Sequence, residues 1–354
     1  MSEVTAIPHP LARLRHLRGW SQTELARRAG VPRTSVSAIE CARLTPSVTA
    51  ALTLAQALGC TVEELFGSGS RDTAATRPEW AWEPGQAPCR YWGAEVGGRL
   101  LRYPARTSVP FGLPHDGVRG GGADNDIDTD LAANTLVLAC CDPSAGLLAA
   151  EYHRRSGFRL LPLQRGGAAA LELLQRGLVH VAGLHRSTSE QPGRNRETVL
   201  QRLGDGYRLL RVAQWQEGVA VAPGGSKPSL SSLGRRSLRW AMREPGSAAR
   251  ECLDDLLAGA RANGRVVRDH ATVAAAVDAG WADAGVCVRL VAEEAGLNFT
   301  TVHQEMLDFC YPRSLAGDPR IQALIGLLRS SEYRRTIGEL PGYDASHTGE
   351  VTTP

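Results

Sequence analysis

The chain has 354 residues, enough for two domains of ordinary size, and its 43% hydrophobic and 22% charged residues place it among globular rather than disordered proteins. No run approaches the roughly eighteen consecutive apolar residues of a membrane span, and the N-terminus lacks a basic stretch followed by an apolar one, so a cytoplasmic protein with no membrane partner is expected. The net charge of +3 is concentrated: from His9 to Phe66 seven arginines face four glutamates, which leaves the rest balanced and assigns any polyanion to the N-terminal part.

From Pro10 to Phe66 apolar residues recur at helical spacing, and the breaks carry helix start signals. Leu11, Leu14 and Leu17 form a first stripe that Gly19 ends. Ser21-Gln22-Thr23-Glu24 is a capping box, with Ser21 accepting from the Glu24 amide and Glu24 reaching back to Ser21. It opens a second helix running to about Ala29. Gly30-Val31 makes a tight turn, Pro32 suits a first helical position, and Val36 and Ile39 mark the inner face of a short third helix. A fourth follows Thr45-Pro46-Ser47 with Leu52, Leu54, Ala55 and Leu58 inward. Thr61 to Glu64 is a second capping box that opens a last turn.

Five short helices with a tight turn between the second and third are what a helix-turn-helix requires. The segment Leu11 to Phe66 resembles the Xre (phage-repressor-like) family, through Ser21-Gln22, Glu24-Leu25-Ala26, Ala29-Gly30-Val31, Ile39-Glu40, Pro46 and Ala57-Leu58-Gly59. The resemblance implies that Arg33, Thr34 and Ser37 face base edges of double-stranded DNA while Gln22, Ser35 and Arg43 approach phosphates. Arg33 has the fork geometry for guanine. Cys41-Ala42 departs from the polar residue and glycine common after the glutamate in that family.

Residues 67–79 are rich in Ser, Gly, Thr and Ala and read as a flexible linker. Residues 80–130 read as a small β-rich connector, two short strands around Gly97-Gly98, followed by a glycine- and aspartate-rich loop from Gly117 to Asp130. Beyond Asn134 short β runs alternate with helices: strands at Thr135–Cys141, Phe158–Leu163 and Val179–Leu184, helices at Ser144–Arg155 and Ala168–Gln175. A second set follows, with strands at Gly218–Ala222, Leu238–Met242, Val266–Arg268 and Ala284–Val288 and helices from Ser247 and from Val273. Such spacing predicts right-handed βαβ units on parallel strands. Two sets joined by a crossing segment, Val212–Val221, predict two α/β lobes with a cleft between them.

Residues 131–349 resemble the periplasmic-binding-protein superfamily, most closely its branch fused to helix-turn-helix heads. The blocks that carry this are Cys141-Asp142-Pro143, Val181-Ala182-Gly183-Leu184-His185, Gln216-Glu217-Gly218, Gly246-Ser247 with Arg250, and Ala282-Asp283-Ala284-Gly285. The tail Gly342-Tyr343-Asp344, with Ser346 and Thr348-Gly349, is similar to molybdate- and tungstate-binding members. In open α/β sheets the ligand sits beyond the carboxyl ends of the strands. That places Asp142, Ser144, His185, Gly246, Ser247, Arg250 and Asp283 at the candidate pocket, with Trp215 as hinge core or ligand platform. Helix starts at Asp142-Pro143-Ser144 and Gly246-Ser247, with Arg250 one turn in, favour a small anion. The resemblance narrows this to molybdate, tungstate or a molybdenum-pterin type of molecule, the last suiting Asp142 because it carries donor groups. No cofactor is required.

The eight cysteines show no C-x-x-C or zinc-finger spacing, so reduced thiols are expected, Cys140-Cys141 at the buried end of a strand, and no metal site. There is no G-x-S-x-G elbow, H-E-x-x-H helix or P-loop, so no catalytic residue is named and an enzyme is not expected. The reading is a ligand-responsive transcription regulator, a homodimer on an inverted-repeat operator. The alternatives are a ligand-independent regulator whose α/β half dimerises, and an enzyme tethered to DNA.

Overall fold

A computed structural model of the chain describes residues 9–41, 43–66, 78–85, 88–105, 114–120, 127–223, 238–258 and 260–354. Ala42, residues 67–77 of the expected linker and 121–126 of the expected loop lie outside the described residues, as do the side chains of Leu17, Glu63 and Glu64.

The head consists of α1 (Pro10–Leu17), α2 (Gln22–Ala29), α3 (Arg33–Glu40), α4 (Val48–Leu58) and α5 (Val62–Phe66). Serine side chains cap two of them: Ser21 accepts from the Glu24 amide at 3.1 Å and Ser47 from the Ala50 amide at 3.3 Å. The Ser21 box closes only halfway, because the Glu24 carboxylate turns to Arg27 and Arg28. Pro32 is the residue before α3 rather than its first member. Leu11, Leu25, Val36, Ile39, Leu54 and Leu58 form the core. Leu52 departs from its expected inward position and is 56% exposed. At about 100° per residue, Leu54, Ala55 and Leu58 fill the inner arc of α4 and Leu52 falls on the far side.

The connector is a four-stranded sheet of β1 (Glu79–Trp80), β2 (Cys89–Val96), β3 (Arg99–Pro104) and β4 (Gly117–Arg119), in the order β1-β3-β2-β4. Gly97 and Gly98 turn the β2–β3 hairpin with φ of 59° and 75°, a left-handed pair that side chains disfavour. The segment expected as a loop from Gly117 to Asp130 instead starts in β4 and ends in α6 (Thr129–Ala133), which Asp128 caps. Trp92, Leu101 and Tyr103 share one core with Val137 and Leu161 of the next sheet, so the connector is packed down.

That sheet runs β10-β9-β11-β8-β12-β7-β5-β6. On one side lie β5 (Thr135–Cys140), β6 (Arg159–Gln164) and β7 (Val181–Thr188), parallel, with α7 (Ala145–Ser156) and α8 (Gly167–Gln175) as crossovers and α9 (Arg194–Leu203) after β7. On the other lie β9 (Arg239–Met242), β10 (Asn263–Val266) and β11 (Ala284–Val288), also parallel, with α10 (Ala248–Leu256) and α11 (His270–Asp278) between them. Two antiparallel strands of 15 residues each, β8 (Tyr207–Val221) and β12 (Asn298–Pro312), join the halves. The expected crossing segment is thus the last two thirds of a long strand. α9, β12 and the helices α12 (Arg289–Glu294), α13 (Pro319–Arg329) and α14 (Ser331–Gly338) are additions to the expected elements.

Candidate functional site

In the head, α3 turns Val36 and Ile39 inward, which leaves Arg33 and Thr34 exposed and Ser37 half-buried on the outer face. Ser35 is half-buried and Arg43 exposed after the helix; among the described residues neither Arg33 nor Arg43 makes an ion pair. Gln22 is placed differently from its expected role at phosphate: its amide donates inward to Glu40 at 2.8 Å. Glu40 also takes two bonds from the buried Arg15, at 2.6 and 2.9 Å, and Arg15 donates to the Trp20 carbonyl. This network ties α1, α2 and α3 and so fixes the tilt of α3.

The second site lies on the ribbon of β8 and β12. Side chains two apart on a strand share a face, and the register sets Trp215 opposite Glu305 and Glu217 opposite His303. Register shifts on β12 before His303 and after Leu307 bracket the group. Glu305 is buried and accepts from Trp215 Nε1 at 2.9 Å and from His185 Nδ1 at 2.5 Å, with His303 Nε2 at 3.3 Å. Burial alone would raise its pKa, but His185 and His303 carry it well below the carboxylate range. Glu217 is wholly buried, neither oxygen has a hydrogen-bond partner, and His303 Nε2 stands 3.6 Å away. Burial, with the charge of Glu305, pushes Glu217 up to about 8, and the two carboxylates push His303 up to about 10.

Above this ribbon the strand ends converge. His185, on β7, puts Nε2 3.0 Å from Cys141 Sγ, just past β5. His270, first residue of α11 in the other half, is 1% exposed, its ring 6.0 Å from that of His185 and 6.3 Å from Trp215. Arg243, just past β9, is 2% exposed and pairs with Glu244 at 3.0 Å. Gly246, at φ 82°, makes the turn into α10. Across from it begins α8: a Cβ on Gly166 would meet Glu244 Oε1 at 2.4 Å and Ser247 Cβ at 3.7 Å. Two helix N-termini therefore face each other, with the Glu244 carboxylate against one of them. A cavity of about 960 Å³ opens nearby, its wall including Cys141, Pro143, Gly146, His115, Asp269 and His270.

The description "PBP superfamily domain" matches residues 149–329, just over half of the chain, and "Helix-turn-helix" matches residues 11–65. The chain belongs to the PBP superfamily. It is a PBP-like domain fused to an Xre-type helix-turn-helix head. The uncharacterized protein YvgK of Bacillus subtilis (strain 168) is 27% identical over 211 residues, covering 56% of this chain and 68% of that protein. Among solved structures, PhnD1 from Prochlorococcus marinus in complex with methylphosphonate aligns with TM-score 0.44 and 12% identity over 59% of this chain and 92% of that one. The tungstate binding protein TupA from Desulfovibrio alaskensis aligns with TM-score 0.42 and 11% identity over 60% and 98%. Among the described residues no helix is long and apolar enough to cross a membrane.

In this PBP-like domain the structure brings Asp142, Ser144, His185, Trp215, Gly246 and Ser247 to the region between the halves, and sets two expected residues apart. The Asp142 carboxylate takes the Ser144 amide and hydroxyl at 2.9 and 2.8 Å and the Tyr343 hydroxyl at 2.8 Å, and burial raises its pKa. The Ser247 hydroxyl donates to the Glu244 carbonyl and caps α10. Arg250 departs from its expected place on the ligand: its guanidinium lies along its own helix on Asp254 at 2.9 Å. Asp283 pairs with Arg239 at 2.7 Å, at the start of β9 and β11 rather than at their carboxyl ends. Sequence reasoning passed over Arg243, Glu217, His270, His303 and Glu305. Four of them carried a signal: an arginine just past a strand and before Gly246-Ser247, and in strands an acid two residues after an aromatic side chain, Glu217 after Trp215 and Glu305 after His303.

Proposed function

We propose that the protein is a ligand-responsive transcription regulator of the cytoplasm. Residues 1–66 hold an inverted-repeat operator in double-stranded DNA as a homodimer, and residues 131–349, carried on the connector 80–130, sense a small anion. The observation that carries the effector class is Arg243, a buried cation at a strand end, flanked by the facing starts of α8 and α10. The Glu244 carboxylate that now lies between them marks where an external anion would compete. Molybdate, tungstate or a molybdenum-pterin type of molecule is the specific reading, supported by the resemblance of the tail and by these helix starts. Arg243 takes the role first given to Arg250.

Calorimetry with molybdate, tungstate and a molybdenum-cofactor preparation, with and without operator DNA, tests this. Arg243→Gln should abolish the heat and leave operator binding intact, whereas Arg250→Ala, already paired with Asp254, should retain it. No heat and no thermal shift with any of the three rejects the anion class. Light scattering that finds a monomer both free and on DNA rejects the dimer.

A further inference from the structure

The cluster of Cys141, His185 and His270 is not accounted for by anion binding. Their ligand atoms lie within 4.8 Å of one another, all three residues are buried, and they come from the residue after β5, from β7 and from α11, that is, from both halves of the domain. Both ring nitrogens of His270 are buried without a hydrogen-bond partner. Leaving such a group unpaired is costly, so a native fold that retains it calls for a partner outside the chain.

We infer that Cys141, His185 and His270 form a binding site for a transition-metal ion of the zinc class, closed across the two halves. One thiolate and two imidazoles are the donor set that such ions prefer, and one that oxygen-seeking magnesium and calcium do not. Ligands about 2.0–2.3 Å from a tetrahedral ion stand roughly 3.5 Å apart. Cys141 Sγ and His185 Nε2 stand 3.0 Å apart and all three ligand atoms lie within 4.8 Å of one another, limits that include that spacing. His185 is already oriented for the task. Its Nδ1 is held by Glu305, which Trp215 Nε1 fixes in turn, so Nε2 is the atom that faces Cys141. A carboxylate behind a histidine in this way sets its tautomer and raises its strength as a ligand.

The 960 Å³ cavity, whose wall includes Cys141 and His270, supplies an entry path. Binding displaces to solvent the proton held between Cys141 Sγ and His185 Nε2 and forms metal–sulfur and metal–nitrogen bonds, with no redox change. Three protein ligands leave a fourth position open. Because His270 comes from the opposite half, the ion holds the two halves together.

The test uses the full chain, stripped with a chelator and titrated with Co²⁺ as a spectroscopic probe and with Zn²⁺ in competition with a chelating dye. One equivalent should bind, with the thiolate-to-cobalt charge-transfer band and the intense visible bands of a four-coordinate site. Cys141→Ser should remove the charge-transfer band, His270→Ala should weaken Zn²⁺ at least tenfold, and Glu305→Gln should weaken it about 10–100-fold. X-ray absorption of the zinc-loaded wild type, which needs no variant to fold, should show one sulfur and two imidazole nitrogens. A wild type without the charge-transfer band, a shell of oxygens alone, or affinity unchanged by both Cys141→Ser and His270→Ala overturns the site. None of these measurements needs operator or anion, so failure of the regulator reading leaves them as they stand.

Discussion

Glu217 shows how one buried side chain makes the hinge ribbon sensitive to pH. It has no hydrogen-bond partner, and burial next to Glu305 raises it from its ordinary 4.5 to about 8 in the folded chain. A group with a raised folded pKa binds its proton more tightly when folded, so its stabilising contribution is complete below about 4.5 and is lost as pH rises to about 8. His303, raised from 6.5 to about 10 by the two carboxylates beside it, loses its contribution over the window between those values. Glu305, depressed, runs the other way and loses its contribution on acidification. Between pH 6.5 and 8 the first two act together, and the melting temperature of the wild type should fall across that interval. Glu217→Gln keeps a neutral, donor-bearing group in the same space and should flatten the fall. Melting curves at half-unit steps from pH 5.5 to 8.5 check it; a parallel slope in wild type and variant means that Glu217 does not titrate there.

At the scale of the element, α3 is held by its neighbours so that its outer face is free to read. Val36 and Ile39 anchor it, the Arg15–Glu40–Gln22 network sets its angle, and Arg33 remains exposed in its first turn. Arg33→Ala should lower operator affinity by about 1–3 kcal/mol and relax preference at one base position, as read from fluorescence anisotropy over single-base operator variants. Arg43→Ala, at a proposed phosphate contact, should weaken all variants alike. The head and the alternating strands were legible because their signals are local: Ser21, Ser47 and Gly97-Gly98 act on residues within a turn of themselves. β12 was not, since its register shifts at His303 and Leu307 break the period of two that marks a strand. The cleft was legible in its helix starts and in two strand residues, His185 and Trp215. Its other members, Glu217 with Glu305 and Cys141 with His270, meet through pairing of segments some 90 to 130 residues apart, which no local pattern carries. Arg250 and Asp283 had the right residue type, but nearer partners in Asp254 and Arg239.

At the scale of the whole molecule, an effector in the sensor must bias the head, and a ligand shifts an equilibrium only by its differential affinity for the two states. The structure offers one physical route. Cys141 and Asp142 lead directly into α7, a helix of 12 residues and so about 18 Å long, and Phe158 follows its far end. There Arg13 of α1 lies 5.1 Å from the centre of the Phe158 ring and bonds to Asn134, and it is half-buried against the sensor. On the proposed function, a shift of α7 as the cleft closes would reach the helix that carries Arg15, and through Glu40 it would reach α3. Arg13→Ala should leave effector heat and the operator affinity of the ligand-free protein near wild type. It should also reduce the effector's influence on operator affinity, which a typical coupling of about 1–3 kcal/mol would make roughly 5–150-fold, toward no change. Anisotropy titrations with and without effector, on wild type and variant in parallel, measure this directly. A full ligand response in Arg13→Ala would place the coupling elsewhere, because α1 would then have lost its aromatic and amide contacts with the sensor while the signal still arrived.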